Sequence, residues 1–155
     1  MFTAPNTHPT TPNGIDDAVE AFCNTLVAGK KPVYLSLTSM DPSYRAKFCL
    51  NNSVDAATIN PNYTVVFGWT IWSSYMSGTR IIEAEFHAVV QLANGNLLDV
   101  TPRVDGEDRV LFLPDSTRSA TKVGNFWNTW SNERSAWAQQ KIHPISSAKQ
   151  IALPV

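Results

Sequence analysis

The chain has 155 residues, 43% of them hydrophobic and 16% charged, with a formal net charge of −1. That length suits one domain with its own core, and the composition excludes a disordered chain. Near-neutral charge argues against a nucleic-acid partner, and no apolar run nears the roughly 20 residues a membrane span needs.

Residues 1–13, rich in Pro, Thr and Asn, read as a loose N-terminal arm without the basic start and apolar segment of a secretory leader. A single α+β domain is expected over 14–142, followed by an irregular tail over 143–155. Ile15, Val19, Phe22, Cys23, Leu26 and Val27 have helical spacing, with Gly29 where a C-cap belongs. Residues 32–37 alternate like a strand. A short helix is expected to start at Asp41 or Ser43 and run through Cys49, with residues 51–62 a loop. Strands follow at 63–72, 81–92, 96–101 and 109–113. Phe126, Trp130 and Trp137 then share one stripe of a predicted helix over 125–140. The order gives an antiparallel sheet packed against N-terminal, Cys-bearing and C-terminal helices.

The hairpin over 83–102 carries the chemistry. Strand alternation puts Ala84, Phe86, Ala88 and Val90 on one face and Glu83, Glu85, His87 and Val89 on the other. A two-residue loop at Asn94-Gly95 would oppose Val90 to Asp99, setting an aspartate among apolar side chains. A three-residue loop over 93–95, with Gly95 left-handed, instead opposes Leu98 to Val90 and Val100 to Ala88. His87 and Asp99 then become diagonal neighbours on one face, within side-chain reach.

A carboxylate bonded to a histidine fixes its tautomer and stabilises the imidazolium, the orienting half of a nucleophilic triad. Cys49, at or near a helix, is the candidate nucleophile, because helix N-termini and a neighbouring imidazolium both favour the thiolate. Cys23, on the apolar stripe of the first helix, reads as core. Taken singly, His87 and Asp99 read as structural and Cys49 as an inert buried thiol. A metal site from Cys49, His87 and Asp99 is chemically open, but the closely spaced ligand pair typical of zinc is missing. No cofactor is implied. The tryptophans at 69, 72, 127, 130 and 137 read as core or as the wall of an apolar cleft.

Cys, then His on a strand, then Asp on the next strand resembles the papain-like and transglutaminase-like cysteine enzymes, and "FHAVVQLANGNLLDVTP" resembles the transglutaminase His-to-Asp hairpin. The resemblance implies a helix opened by the Cys and packed on an antiparallel sheet, with Cys49 as nucleophile, His87 as general base and Asp99 as orienting carboxylate. Over about residues 32–102, "PVYLSL", "CLNNSV", "FGWTIW", "IEAEFHAVV" and "NGNLLDVTP" also resemble a poorly characterised microbial family with a Cys-x-x-Asn element and a Gly-Trp strand. That resemblance adds Asn52, and Glu83 and Glu85 on the His87 face. The Gln that often precedes the Cys in papain-like enzymes is missing, so the Cys49 N–H or the Asn52 side chain is the expected oxyanion donor. Asn52, Glu85, Trp69 and Trp72 are the expected oxyanion or substrate contacts.

Two functions follow. One is a cytoplasmic thiol hydrolase or acyltransferase acting on an amide, ester or thioester of a small molecule or peptide. The other is a non-catalytic binding module on the same fold, sequestering a small molecule or inhibiting a partner protein. A reactive, accessible Cys49 separates them.

Overall fold

A computed structural model describes residues 9–38, 41–46, 48–76, 79–103, 105–123, 126–131, 140–143 and 149–152. The fold is α+β. Helix α1 spans Asp17–Leu26 and strand β1 Val33–Ser36; helix α2 spans Cys49–Ile59. Two long strands, β2 (Thr64–Met76) and β3 (Thr79–Gln91), pair along their whole length. The short β4 (Leu97–Leu98), β5 (Arg109–Pro114) and β6 (Arg118–Val123) come next. The remaining strands are β7 (Phe126–Ser131), β8 (Gln140–His143) and β9 (Lys149–Ala152). The main sheet runs β1-β5-β2-β3-β8-β9, with β4 beside β3, and all these ladders are antiparallel.

One face of β2 and β3 is apolar. Trp69 and Ile71 join Ile82, Ala84, Phe86 and Ala88, and against them pack Val19, Phe22 and Cys23 of α1 and Leu50 of α2. The helix α1 forms there because Asp16 caps it, its Oδ1 accepting from the Val19 N–H at 3.0 Å, and because its buried residues fall on one stripe. Leu35, Val89, Val110 and Phe112 fill the opposite face. The sheet curls around that second core until Leu37, just past β1, bridges Asp99, just past β4, in parallel. The Thr38 N–H donates to the Asp99 carbonyl at 3.0 Å across this junction.

The β3–β4 turn has the register that apolar matching predicts. Val90 faces Leu98 and Gln91 faces Leu97. The Leu92 N–H donates to the Asn96 carbonyl, and Gly95 is left-handed at φ +89°.

Four expectations are corrected. The Cys-bearing helix begins at Cys49 instead of ending there. Asp41 caps a tight turn, taking the N–H and hydroxyl of Ser43, and residues 51–59 are helical because Ser53 and Asn52 find buried partners on other elements. The C-terminal helix over 125–140 is not formed where described: Phe126–Ser131 is strand β7, paired with β6, and position 140 opens β8. Its aromatic and Thr residues suit a pleated strand, and Gly124-Asn125 separate the paired Val123 and Phe126, a hairpin signature. The tail is not wholly irregular, since β9 pairs β8 over Lys149–Ala152. The arm is not loose over residues 9–13: Thr10 exchanges backbone bonds with Ser73, and the Thr11 hydroxyl donates to the Arg109 carbonyl. The rest of that arm, Trp137 and the last three residues lie outside the described residues. Among the described residues no helix is long and apolar enough to cross a membrane.

Candidate active site

His87 stands on β3 opposite Gly68 of β2. A side chain on Gly68 would overlap the Leu113 carbonyl oxygen and come within 2.6 Å of the Phe112 ring. The bare glycine therefore lets Phe112 lie beneath the sheet, where its ring meets the His87 imidazole edge-on, centroids 6.2 Å apart. His87 is thereby walled by an aromatic ring and almost fully buried.

Asp99 is fully buried one hairpin away. Its Oδ2 lies 2.7 Å from His87 Nε2, and its Oδ1 accepts the Thr101 N–H at 3.0 Å. With its own carbonyl held by Thr38, the carboxylate is fixed from three directions. Nε2 is committed to Asp99, which leaves Nδ1 as the ring nitrogen for a reacting partner.

Cys49 is the candidate for that place. On the side of β3 away from β2, β8 pairs at Ala84 and Glu85 and β4 at Val90 and Gln91. Among the described residues no strand pairs with 86–89 on this edge, and α2 lies against it, the Ser53 hydroxyl donating to the Ala88 carbonyl at 3.1 Å. Cys49 is the first residue of α2, half-buried, and near enough to His87 for its thiol and charge to act on the imidazole. Burial by itself disfavours the imidazolium. The charges of Asp99 and Cys49, with hydrogen bonds to both, more than offset it and hold His87 well above its ordinary pKa of 6.5. Phe48, in the N-cap position, makes no side-chain cap hydrogen bond to the helix that begins with the thiol. Cys23 is the contrast. It is sealed in the core, and burial pushes its thiol up to about 12.

No family model, curated protein or solved structure matches this chain. The site therefore stands on its own geometry.

The other expected contacts divide. Asn52 is buried, and its side-chain amide is spent, donating to the Arg45 carbonyl at 2.8 Å and to Thr101 Oγ1 at 3.3 Å. It is not the oxyanion donor. Trp69 is not a substrate contact. It faces the helices, fully buried, and its indole N–H donates to Asp115 at 2.9 Å. Residues 69 and 72 are three apart on a strand, so they cannot share a face. Trp72 does lie on the His87 side, buried under the Arg103 guanidinium 4.7 Å from its ring centroid. Glu85 shares that face, half-buried, as does the buried Glu83. Among the described residues no group of three or more His, Cys, Asp or Glu is arranged to hold a metal. Thr101 is the residue sequence reasoning missed. The available signal was the repeated Asp-x-Thr, at 99–101 and again at 115–117.

Proposed function

We propose that the protein is a cysteine-dependent hydrolase or acyltransferase with a Cys49–His87–Asp99 triad on a transglutaminase-like or papain-like core. The observation that carries this is a fully buried carboxylate 2.7 Å from a buried imidazole, with a half-buried thiol at a helix start near enough to act on that imidazole. A purely structural His–Asp pair needs no half-exposed thiol at its other ring nitrogen.

His87 Nδ1 takes the proton from the Cys49 thiol while Asp99 holds Nε2–H. Sγ attacks the carbonyl carbon of an amide, ester or thioester, and the carbonyl electron pair moves to oxygen. The Cys49 N–H, at the start of α2, is the proposed donor to that oxyanion. Collapse expels the amine, alcohol or thiol, which takes the proton from Nδ1, and leaves a thioester on Cys49. Water or an amine then gives its proton to Nδ1 and attacks the thioester, and the released thiolate recovers the proton.

The test is intact-protein mass spectrometry after exposure to a p-nitrophenyl ester and to a simple acyl thioester. One acyl group on Cys49, removed by hydroxylamine and missing in Cys49→Ala and His87→Ala, is the expected result. Cys23 serves as the internal unreactive thiol. Should neither probe acylate Cys49, and iodoacetamide alkylate it only as fast as a free thiol, the enzyme reading is lost and the binding module takes its place.

A further inference from the structure

Two Asp-x-Thr turns lie in this fold, and they differ in one hydroxyl. At Asp115 the Thr117 N–H and hydroxyl both donate back to Oδ1, at 2.9 and 2.5 Å. At Asp99 the Thr101 N–H does the same at 3.0 Å, but the Thr101 hydroxyl receives the Asn52 amide at 3.3 Å instead. Asn52 lies on α2 three residues after Cys49, so nearly one turn below it on the same helix. Its second amide proton goes to the Arg45 carbonyl, in the segment leading into α2. Both Asn52 and Thr101 are buried. The contacts run in a ring: Cys49 beside His87, then hydrogen bonds joining His87 to Asp99, Asp99 to Thr101 and Thr101 to Asn52, and back along one helical turn to Cys49.

We propose that Asn52 and Thr101 are positioning residues, a buried clamp that sets the thiol end of α2 against the His87–Asp99 pair. This rests on the triad reading and adds what holds its two halves in register, since Cys49 comes from a helix and the other two from a hairpin. Neither clamp residue touches the substrate or the reacting atoms. Buried polar groups bonded this way tolerate little displacement, and a shift of about 1 Å at a reacting pair costs on the order of 10²-fold in rate.

The experiment is the pH–rate profile of iodoacetamide alkylation of Cys49, read on the full chain by mass spectrometry. In the wild type, alkylation should persist well below the pH at which free thiols react, and His87→Ala should confine it to alkaline pH. Thr101→Val keeps the side-chain shape and removes the acceptor. With Asn52→Ala it should slow alkylation at pH 6 by about tenfold or more and move the profile toward that of His87→Ala. Thr101→Ser restores the hydroxyl and should stay within about twofold of wild type. Ser53→Ala, which removes another buried hydrogen bond from the same helix, should leave the profile in place.

If Thr101→Val, folded by near-ultraviolet circular dichroism, keeps the wild-type profile, the clamp is overturned and the triad stands. A Ser53→Ala variant as slow as Asn52→Ala overturns it too, since general loosening then explains the effect. A wild-type profile indifferent to His87→Ala overturns the triad and the clamp together. Should Asn52→Ala not fold, the Thr101→Val and Thr101→Ser pair decides alone.

Discussion

Asp99 and Asp115 are built alike and used differently. Each is buried, each opens an Asp-x-Thr turn that folds the Thr N–H back onto Oδ1, and each turns Oδ2 toward a ring nitrogen. At Asp115 that ring is the Trp69 indole, which does not titrate, and the remaining charge is met by Arg118 at 2.8 Å. At Asp99 the ring is His87, which in the proposed triad serves a thiol at a helix start. The same carboxylate turn is a pin in one place and, in the proposed triad, half of a proton relay in the other. Its partner decides which: a pin wants a fixed donor, whereas a relay wants a group that changes charge.

The strongest way to break this comparison is to neutralise each carboxylate in turn. Asp99→Asn should lower acylation of Cys49 by about 10²- to 10⁴-fold, because the imidazolium loses its stabiliser and the ring its fixed tautomer. Asp115→Asn should leave the acylation rate per folded molecule unchanged while costing about 1.5–3 kcal/mol of stability, the scale for hydrogen bonds to a charged group. Stopped-flow acylation and urea unfolding measure the two arms. An Asp115→Asn enzyme as slow as Asp99→Asn would make the two turns equivalent and dissolve the distinction. Gly68→Ala sits between them, because β2 touches both regions there: Gly68 faces His87 on one side and Pro114, next to Asp115, on the other. The overlap with Leu113 backbone cannot be relieved by a rotamer, so about 2–3 kcal/mol of stability should be lost in urea unfolding. Displacing Phe112 should also disturb His87, so the acylation rate should fall with the stability. Unchanged stability in this variant means the strands separate freely at 68.

How much of this was legible in the sequence depended on how far away the deciding partner lay. The hairpin register could be read because alternation, an apolar match and Gly95 are all local, and the His87–Asp99 approach came with it. The start of α2 could not. Asn51, Asn52 and Ser53 have loop chemistry by type, and what turns them helical is a carbonyl on β3 and a hydroxyl at 101, some 35 and 49 residues on. The same distance hid the role of Asn52, whose amide is an oxyanion donor on paper and a clamp in the fold. Trp69 was misassigned although alternation alone separates it from Trp72. The aromatic stripe at 126 and 130 fits a helix and a strand equally, and only its pairing with β6 chooses.

The pH dependence of stability should separate Asp115 from His87 more gently. Burial alone would raise the Asp115 carboxyl, but hydrogen bonds from Thr117, Trp69 and Arg118 outweigh it and hold the group below its ordinary value of 3.8. Its contribution is therefore complete above about pH 4, the unfolded value, and is lost as pH falls through the lower folded value. His87 has the opposite sign. Raised when folded, it contributes fully below about pH 6.5 and loses that contribution as pH rises through its higher folded value. Urea midpoints of wild type and Asp115→Asn should converge below pH 4, and those of wild type and His87→Ala should converge at alkaline pH. A gap between wild type and Asp115→Asn that stays constant from pH 7 to pH 2 means Asp115 carries no linked proton.

The smallest effect is the sharpest, because it concerns one hydroxyl in each turn. Thr117→Val removes a donor to a buried carboxylate that keeps the Thr117 N–H position, Trp69 and Arg118 as partners. A hydrogen bond to a charged group is worth about 1.5 kcal/mol at the lower end, so the loss in urea unfolding should be near that figure. The Cys49 alkylation profile should not move, since nothing in that turn leads to α2. Thr101→Val takes no donor from Asp99, whose turn is held by the Thr101 N–H, so its stability cost should be the lesser of the two while its effect on Cys49 is the greater. Stability and reactivity thus rank the two valine variants in opposite orders. If both measurements rank them the same way, the redirected hydroxyl at 101 is only another packing contact, and the likeness between the two turns runs deeper than their difference.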